Sequence, residues 1–388
     1  MSSANTLTNL IPTLYLALDK VSRELVGFIP AVSRDSTLER AAVGQVVRSF
    51  VAPAATAGAI NPAVTPPDDG EQTIGNISLS INHARRVPIR WQGEESKQMN
   101  SAGGVTVNAI MVDQFAQAMR TLCNEIETDL AGLYVNASRA IVPNSSTLFS
   151  ATLADAAAVR KILVDNGAPI TDLQCVIDTA TGAAMRSLAA LNAVDTSGDK
   201  DLLRQGILGD IMGLKFRESA QVLTPAIGTT SNAVVGTAAY SVGDVTLALA
   251  DSGTGTIVAG DVISLASDSN YYINKTLVSA VSGGSVVLNE NGLRTAISGS
   301  DSPAITISAA SSRSMAFAKS AIVLATRAPA LPAEGVMAVD RTFITDPRCG
   351  LSFEVAKYMQ YRQVQYEISI AWGLKVVKEE HVAVLAGK

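Results

Sequence analysis

Two histidines, His83 and His381, stand near opposite ends of a 388-residue chain. A transition-metal site needs converging His, Cys or carboxylate ligands, and neither histidine has a Cys, an Asp or a second His at ligand spacing. Both read as hydrogen-bonded or solvated structural residues. The three cysteines, Cys123, Cys175 and Cys349, form no C-x-x-C pair, so buried, reduced thiols are the expectation. A nucleophile triad would have to recruit one of the two histidines, and no G-x-S-x-G elbow is present to hold its serine. Walker A and G-x-G-x-x-G patterns are missing as well, and Gly206, Gly209 and Gly213 are spaced wrongly for a phosphate cradle. A conformational duty as a structural turn fits these three better, through a positive φ or a close backbone approach. Asp268 and Asn270 lie two apart without the downstream glutamate of a calcium loop. The residues therefore assign no catalytic, cofactor-binding or metal-ligating group. The expectation is a protein that is not an enzyme and carries no cofactor.

One polar pattern does suggest a role. Asp68, Asp69 and Glu71 cluster before a stretch in which Ile77, Leu79 and Ile81, then Val87, Ile89 and Trp91, alternate with polar residues. Arg85, Arg86 and Arg90 lie along the second run. Alternation of this kind predicts two strands, read here as an extended hairpin arm over 50–94. An ordinary solvated hairpin of mixed charge would look the same. A two-stranded arm has too little core to hold itself, however, so these six charged residues are the expected contacts with a neighbouring subunit.

The surrounding elements give that arm a body. Leu10, Leu14, Leu18, Val21 and Leu25 recur at helical spacing and predict an amphipathic helix in the first 27 residues. Met111, Phe115, Met119, Leu122, Ile126, Leu130 and Leu133 form one apolar stripe, with Asp113, Gln117, Asn124 and Glu127 on the other side. About 25 helical residues make a rod of roughly 38 Å, a spine rather than a small packing helix. Residues 151–222 alternate helix and strand: a helix closed by Asn166-Gly167, a strand over Leu173–Ile177, and a helix through Met185 and Leu188. Between about Pro225 and Ser311 the chain turns Ser-, Thr-, Gly- and Val-rich, with short alternating runs between turns, which predicts a small β-barrel or sandwich inserted into the parent domain. A long strand runs through Val364, Tyr366, Ile368, Ile370 and Trp372, and Gly373 breaks the alternation.

Composition narrows the class. Hydrophobic residues make up 47% and charged residues 17% of the chain, which suits a folded protein of two or three domains. A formal net charge of -5 argues against a dedicated nucleic-acid binder. No apolar run spans a bilayer, since the nearest, 321–338, contains Arg327, Pro329, Pro332 and Glu334. The opening Met1-Ser-Ser-Ala-Asn lacks a signal-peptide pattern.

Four stretches, in order, resemble the major capsid (coat) proteins of tailed double-stranded DNA bacteriophages, in the podovirus-coat-like branch with an inserted β-domain. They are Phe28-Ile-Pro-Ala-Val-Ser-Arg-Asp35 with Gly44-Gln-Val-Val47, then Gly206 to Ser219, Met315 to Arg327, and Gly350-Leu-Ser-Phe-Glu-Val with Trp372 to Val377. The resemblance implies an α+β Hong Kong-type phage capsid fold. Its parts would be an N-terminal arm helix (1–27), a peripheral domain with the spine helix (28–49, 95–150, 340–372), the hairpin arm (50–94), an axial domain (151–225, 312–339, 373–388) and the inserted β-domain (226–311). It further implies self-assembly into pentamers and hexamers of an icosahedral shell that encloses double-stranded DNA without sequence-specific binding. Assembly would take place in the cytoplasm of the bacterial host, with a separate scaffolding protein and a portal protein as partners, no membrane, and the virion capsid as destination. The short stretch before the body sets the expectation that no scaffolding segment is fused to it. Lys97 lies just past the arm, and one lysine does not assign a covalent cross-link. Alternatives are an encapsulin-like nanocompartment shell and a non-enzymatic surface-layer or adhesin protein.

Overall fold

The computed structural model describes residue 17 and residues 26–51, 57, 59, 60, 62, 65, 75–95, 97, 105–143, 147–188, 191, 208–266, 268–333, 335–345 and 350–387. The predicted amphipathic helix through Leu10 to Leu25 lies outside these residues, as do Asp68, Asp69, Glu71, Gly206 and Cys349. The architecture is mixed α+β and rich in strands.

Along the chain, a four-residue helix α1 (Phe28–Ala31) leads into strands β1 (Ser33–Ala41), β2 (Val46–Val51), β3 (Gly75–Ser80) and β4 (His83–Gln92). The spine helix follows as α2 (Val105–Ala131), 27 residues and so about 40 Å long. Strand β5 (Arg139–Ile141), helix α3 (Ala154–Asp165), strand β6 (Leu173–Ile177), helix α4 (Thr179–Arg186) and the hairpin β7 (Asp210–Ile211) and β8 (Leu214–Glu218) complete the first half. Five short strands come next: β9 (Thr246–Ala248), β10 (Val262–Leu265), β11 (Tyr271–Ile273), β12 (Ser285–Val287) and β13 (Ile305–Ile307). The chain closes with β14 (Arg313–Ala318), β15 (Ile322–Pro329), β16 (Ala338–Thr345), β17 (Ser352–Gln360), β18 (Gln363–Val376) and β19 (Val382–Ala386).

Two large sheets organise these strands. The first runs β1-β15-β18-β17-β16, with β4 added to β18, and the second runs β13-β10-β11-β5-β19-β14-β6-β8-β7. The apolar stripe of α2 is the reason the first sheet has a floor: Phe115, Met119, Leu122, Ile126 and Leu130 are almost fully buried, in one core with Ile368, Ile370 and Trp372 of β18. A side chain of that size is worth about 1.5–3 kcal/mol when fully buried, so five along one helix decide where it lies. Ala233, Val235, Leu247, Ile263, Val286 and their neighbours form a second, separate cluster. β9 and β12 form a small sheet of their own, whereas β10, β11 and β13, which also carry residues of this cluster, are continuous with the second large sheet because β11 pairs with β5.

Two sequence expectations need correction. The two alternating runs do not pair with each other. β3 pairs with β2, from Val46 opposite Ser80 to Val51 opposite Gly75, whereas β4 pairs with β18 over ten positions, from Gln92 opposite Gln363 to His83 opposite Trp372. The cause is where each apolar face finds cover. Val87 and Ile89 of β4 pack on the main core, while Leu79 and Ile81 join a small cluster with Ala41, Ala325 and Ala371. The long strand β18 itself runs on past Gly373 to Val376. A Cβ at Gly373 would lie 2.1 Å from the Ser80 carbonyl oxygen, so glycine is what lets the β3 backbone cross the strand at that point. Glu127, expected on the solvent side of the spine, is 1% exposed.

That glutamate has a structural task. Its carboxylate accepts hydrogen bonds from the backbone N–H groups of Gly27 (3.3 Å), Phe28 (3.0 Å) and Ile29 (2.7 Å) and from the Ser219 hydroxyl (2.8 Å). These N–H groups open α1, whose own N-terminal residue supplies no side-chain cap. Burial pushes the Glu127 carboxyl above its ordinary value, and the four donors pull the other way. Replacing Glu127 by alanine leaves buried donors without an acceptor and should lower the unfolding free energy by about 3 kcal/mol. Glu127→Gln, which turns an N–H pair toward other donors, should also destabilise. Urea unfolding of the three proteins checks both.

Candidate functional site

The residues equipped for chemistry do not converge. Among the described residues no three His, Cys, Asp or Glu side chains are grouped so as to hold a metal. Cys123 and Cys175 are both buried, and burial pushes the Cys175 thiol far above its usual range. The Asp268 carboxylate is occupied by its own neighbours, accepting from the Asn270 backbone N–H (3.0 Å) and side-chain amide (2.7 Å) and from the Tyr272 hydroxyl. Met212 (φ 54°) and Gly213 (φ 77°) both take left-handed backbone in the two-residue turn between β7 and β8, which is the geometry that favours glycine. Gly209 has no positive φ and open space where a Cβ would stand.

The histidines have different settings. His83, at the start of β4, stacks on Trp372 with ring centroids 5.3 Å apart and planes 8° apart. The indole N–H of Trp372 donates to Asp129 Oδ2 of the spine (2.8 Å), and His83 Nδ1 lies 3.8 Å from the same oxygen. A groove between β4 and α2 is lined here by His83, Arg85, Glu125, Asp129 and Trp372. His381 lies 6% exposed ahead of β19, and its Nδ1 has no hydrogen-bond partner among the described residues.

The arginines expected along the arm's return sit instead on β4, within the large sheet. Arg85 Nε lies 3.6 Å from Glu125 Oε2, and Arg86 Nη1 donates to Glu367 Oε2 at 2.7 Å. The bond to Glu367 raises the Arg86 guanidinium further above its ordinary value. Arg90 is exposed on the same strand. The structure thus brings Arg85 and Arg86 to glutamates of their own chain, and their acidic partners in the sequence reading, Asp68, Asp69 and Glu71, lie outside the described residues.

Other surface features escaped the sequence reading. The turn between β17 and β18 presents Tyr361, 88% exposed, beside Arg362, whose guanidinium carbon lies 5.9 Å from the Tyr361 ring centroid. Edge strand β16 and the segment before it expose Val336, Met337, Val339 and Phe343. Nothing in residue spacing marks either feature. Among the described residues strands β2 and β3 pair only with one another, and Lys97 is exposed beyond β4.

No protein-family model matches the chain, and no curated protein does. Among solved structures it is similar to the capsid of cyanophage P-SCSP1u, at 12% identity and a TM-score of 0.48, covering 94% of this chain and 89% of that one. It is similar to a structure of Mycobacterium phage Che8, at 14% identity and a TM-score of 0.46, covering 88% and 84%. A virus-like particle from Pyrococcus furiosus aligns at 9% identity and a TM-score of 0.44, covering 97% and 100%.

Two outcomes follow from the charges. Arg86→Glu sets two carboxylates together at a largely exposed site and should cost at most about 1 kcal/mol at low salt, less at high salt; thermal unfolding at two salt concentrations tests this. Burial lowers the pKa of His381 from its ordinary 6.5. A folded-state pKa below the unfolded one means stability is full above pH 6.5 and is lost as pH falls from 6.5 through the lowered value. His381→Gln should lack that portion of the acid loss, read as the difference between the two melting-temperature profiles.

Proposed function

We propose that this chain is the major capsid protein of a tailed double-stranded DNA bacteriophage, a structural subunit and not an enzyme. The observation that carries this reading is the pair β2 and β3, which is a strand of neither large sheet and rests on the body through one small cluster, Leu79 and Ile81 with Ala41, Ala325 and Ala371, and the crossing at Gly373. Two strands alone are marginal in water, so a body that presents them is built to have them covered by another copy. The four family-like stretches support the reading by where they fall. The first is α1 and the start of β1, the second ends in the β7–β8 hairpin, the third is β14 through β15, and the last spans β17 and the end of β18.

On this reading the chain folds in the Hong Kong manner, and copies form pentamers and hexamers that close into an icosahedral shell around the genome. Closed symmetry repeats each modest contact many times, so stability of the shell comes from multiplicity. The segment joining β2 to β3 carries Asp68, Asp69 and Glu71 and no Lys or Arg, and would lie against a neighbouring copy. Residues 226–311 act as an inserted β-domain that steadies the subunit or touches a neighbour. A separate scaffolding protein and a portal protein are the partners in the host cytoplasm. DNA is enclosed without sequence-specific contacts, in keeping with the net charge of -5.

Co-expression with the scaffolding protein of the same source should give particles that sediment as shells or capsomers and appear closed by electron microscopy. A strictly monomeric species under every assembly condition would overturn the reading.

A further inference from the structure

The turn joining β17 to β18 holds a residue in a conformation that its side chain does not favour. Arg362 has φ 57°, and of the five described non-glycine residues with positive φ it alone is charged. Its carbonyl accepts from Gly93 N–H (3.1 Å), its guanidinium leans over the Tyr361 ring, and it makes no ion pair with another described residue. Glycine would relieve the backbone there, and of these contacts would give up only the exposed one with the Tyr361 ring. An arginine kept at such a position, beside an almost fully exposed tyrosine, suggests a use for the side chain outside the subunit. Tyr and Arg are also the residue types that anchor interfaces.

The groove between β4 and the spine helix offers the complementary chemistry. Its acidic groups are Glu125 and Asp129, and its basic groups are Arg85 and His83. Glu125 Oε2 receives no hydrogen bond, since Arg85 Nε stops 3.6 Å away. Asp129 uses Oδ2 for the Trp372 indole. The His83 ring, stacked on Trp372, adds an aromatic surface of the kind on which a guanidinium rests. Tip and groove belong to opposite stretches of one strand, since Gln363 begins β18 and Trp372 lies nine residues on. That separation is about 30 Å, so the two cannot meet within one chain.

We propose that the Tyr361–Arg362 tip of one copy seats in the groove of a second copy, with Arg362 directed at Glu125 and Asp129. The contact is head-to-tail, the arrangement that closes into rings when its rotation allows. It rests on the reading of the chain as a shell subunit and names one joint of that shell.

Shells are assembled from equal amounts of 14N- and 15N-labelled subunits carrying Tyr361→p-benzoylphenylalanine, irradiated and digested. Cross-links joining light to heavy peptides are expected at His83 to Arg85 or at Thr121 to Asp129. Cross-links confined to one chain, cross-links landing elsewhere, or none in well-formed shells would overturn the contact. Arg362→Gly supplies the second arm: the unassembled subunit should melt at the same temperature or higher, while the assembled fraction falls about tenfold or more. Normal assembly of this variant, or a lowered melting temperature, would also count against the proposal. If wild-type subunits form no particles at all, the shell reading itself fails, and the joint with it. Shells with cross-links elsewhere remove only the joint.

Discussion

Glu127 is the point at which three separate parts of the chain become one body. Its carboxylate takes the opening N–H groups of α1 and the hydroxyl of Ser219, so the start of α1, the last turns of the spine and the residue after β8 meet at one buried carboxylate. A buried carboxylate is expensive unless its lone pairs are filled, and here four donors fill them. The consequence is positional. With α1 fixed on the spine, β1 must leave from a set place and direction, and its parallel pairing with β15 follows. The other side of the spine is fixed by Trp372, whose indole N–H reaches Asp129. Glu127 and Asp129 are two residues apart on one helix, and between them they hold the two ends of the first sheet's construction.

β18 carries the load that the spine positions. Along its 14 residues it pairs with β17, β15 and β4. Its near-continuous burial from Ile368 to Gly373 reflects cover on both faces. Charged pairs sit around this strand: Arg40 meets Glu354 with two hydrogen bonds of 2.7 and 3.1 Å, and Arg86 meets Glu367. The Glu354 side chain is 4% exposed, so that pair costs desolvation as well as gaining attraction. Its two-point geometry orients β1 against β17 more than it adds to stability.

Local periodicity made several elements legible. The spine stripe, the α3 helix closed at Asn166-Gly167, and the β6 strand over Leu173–Ile177 all show in residue spacing because each is decided within a few residues. Pairing is not decided locally. The runs at 77–81 and 87–91 look alike, and what separates them is that Val87 and Ile89 meet a helix distant in sequence while Leu79 and Ile81 meet β1, β15 and β18 residues. Glu127 failed for the same reason. Helical spacing placed it away from the stripe, and only tertiary contact shows that a second face of the helix is covered too. Arg85 and Arg86 were visible as charges, but the partner of Arg86 lies 281 residues away. Arg362 carries no signal in the sequence, since only backbone geometry reveals that its residue type conflicts with its place.

The two sheets are joined side by side. β14 and β15 belong to different sheets and are linked by the three residues Lys319–Ala321, while β18 and β19 are linked through Glu379–His381. These crossings touch, for Ala321 carbonyl oxygen accepts from Val377 N–H at 2.7 Å. Two short connectors lying together, over a core that residues of both sheets share, set the angle at which one sheet meets the other. A close-packed interior of this kind resists a change of that angle, so the outline of the subunit is fixed by its fold.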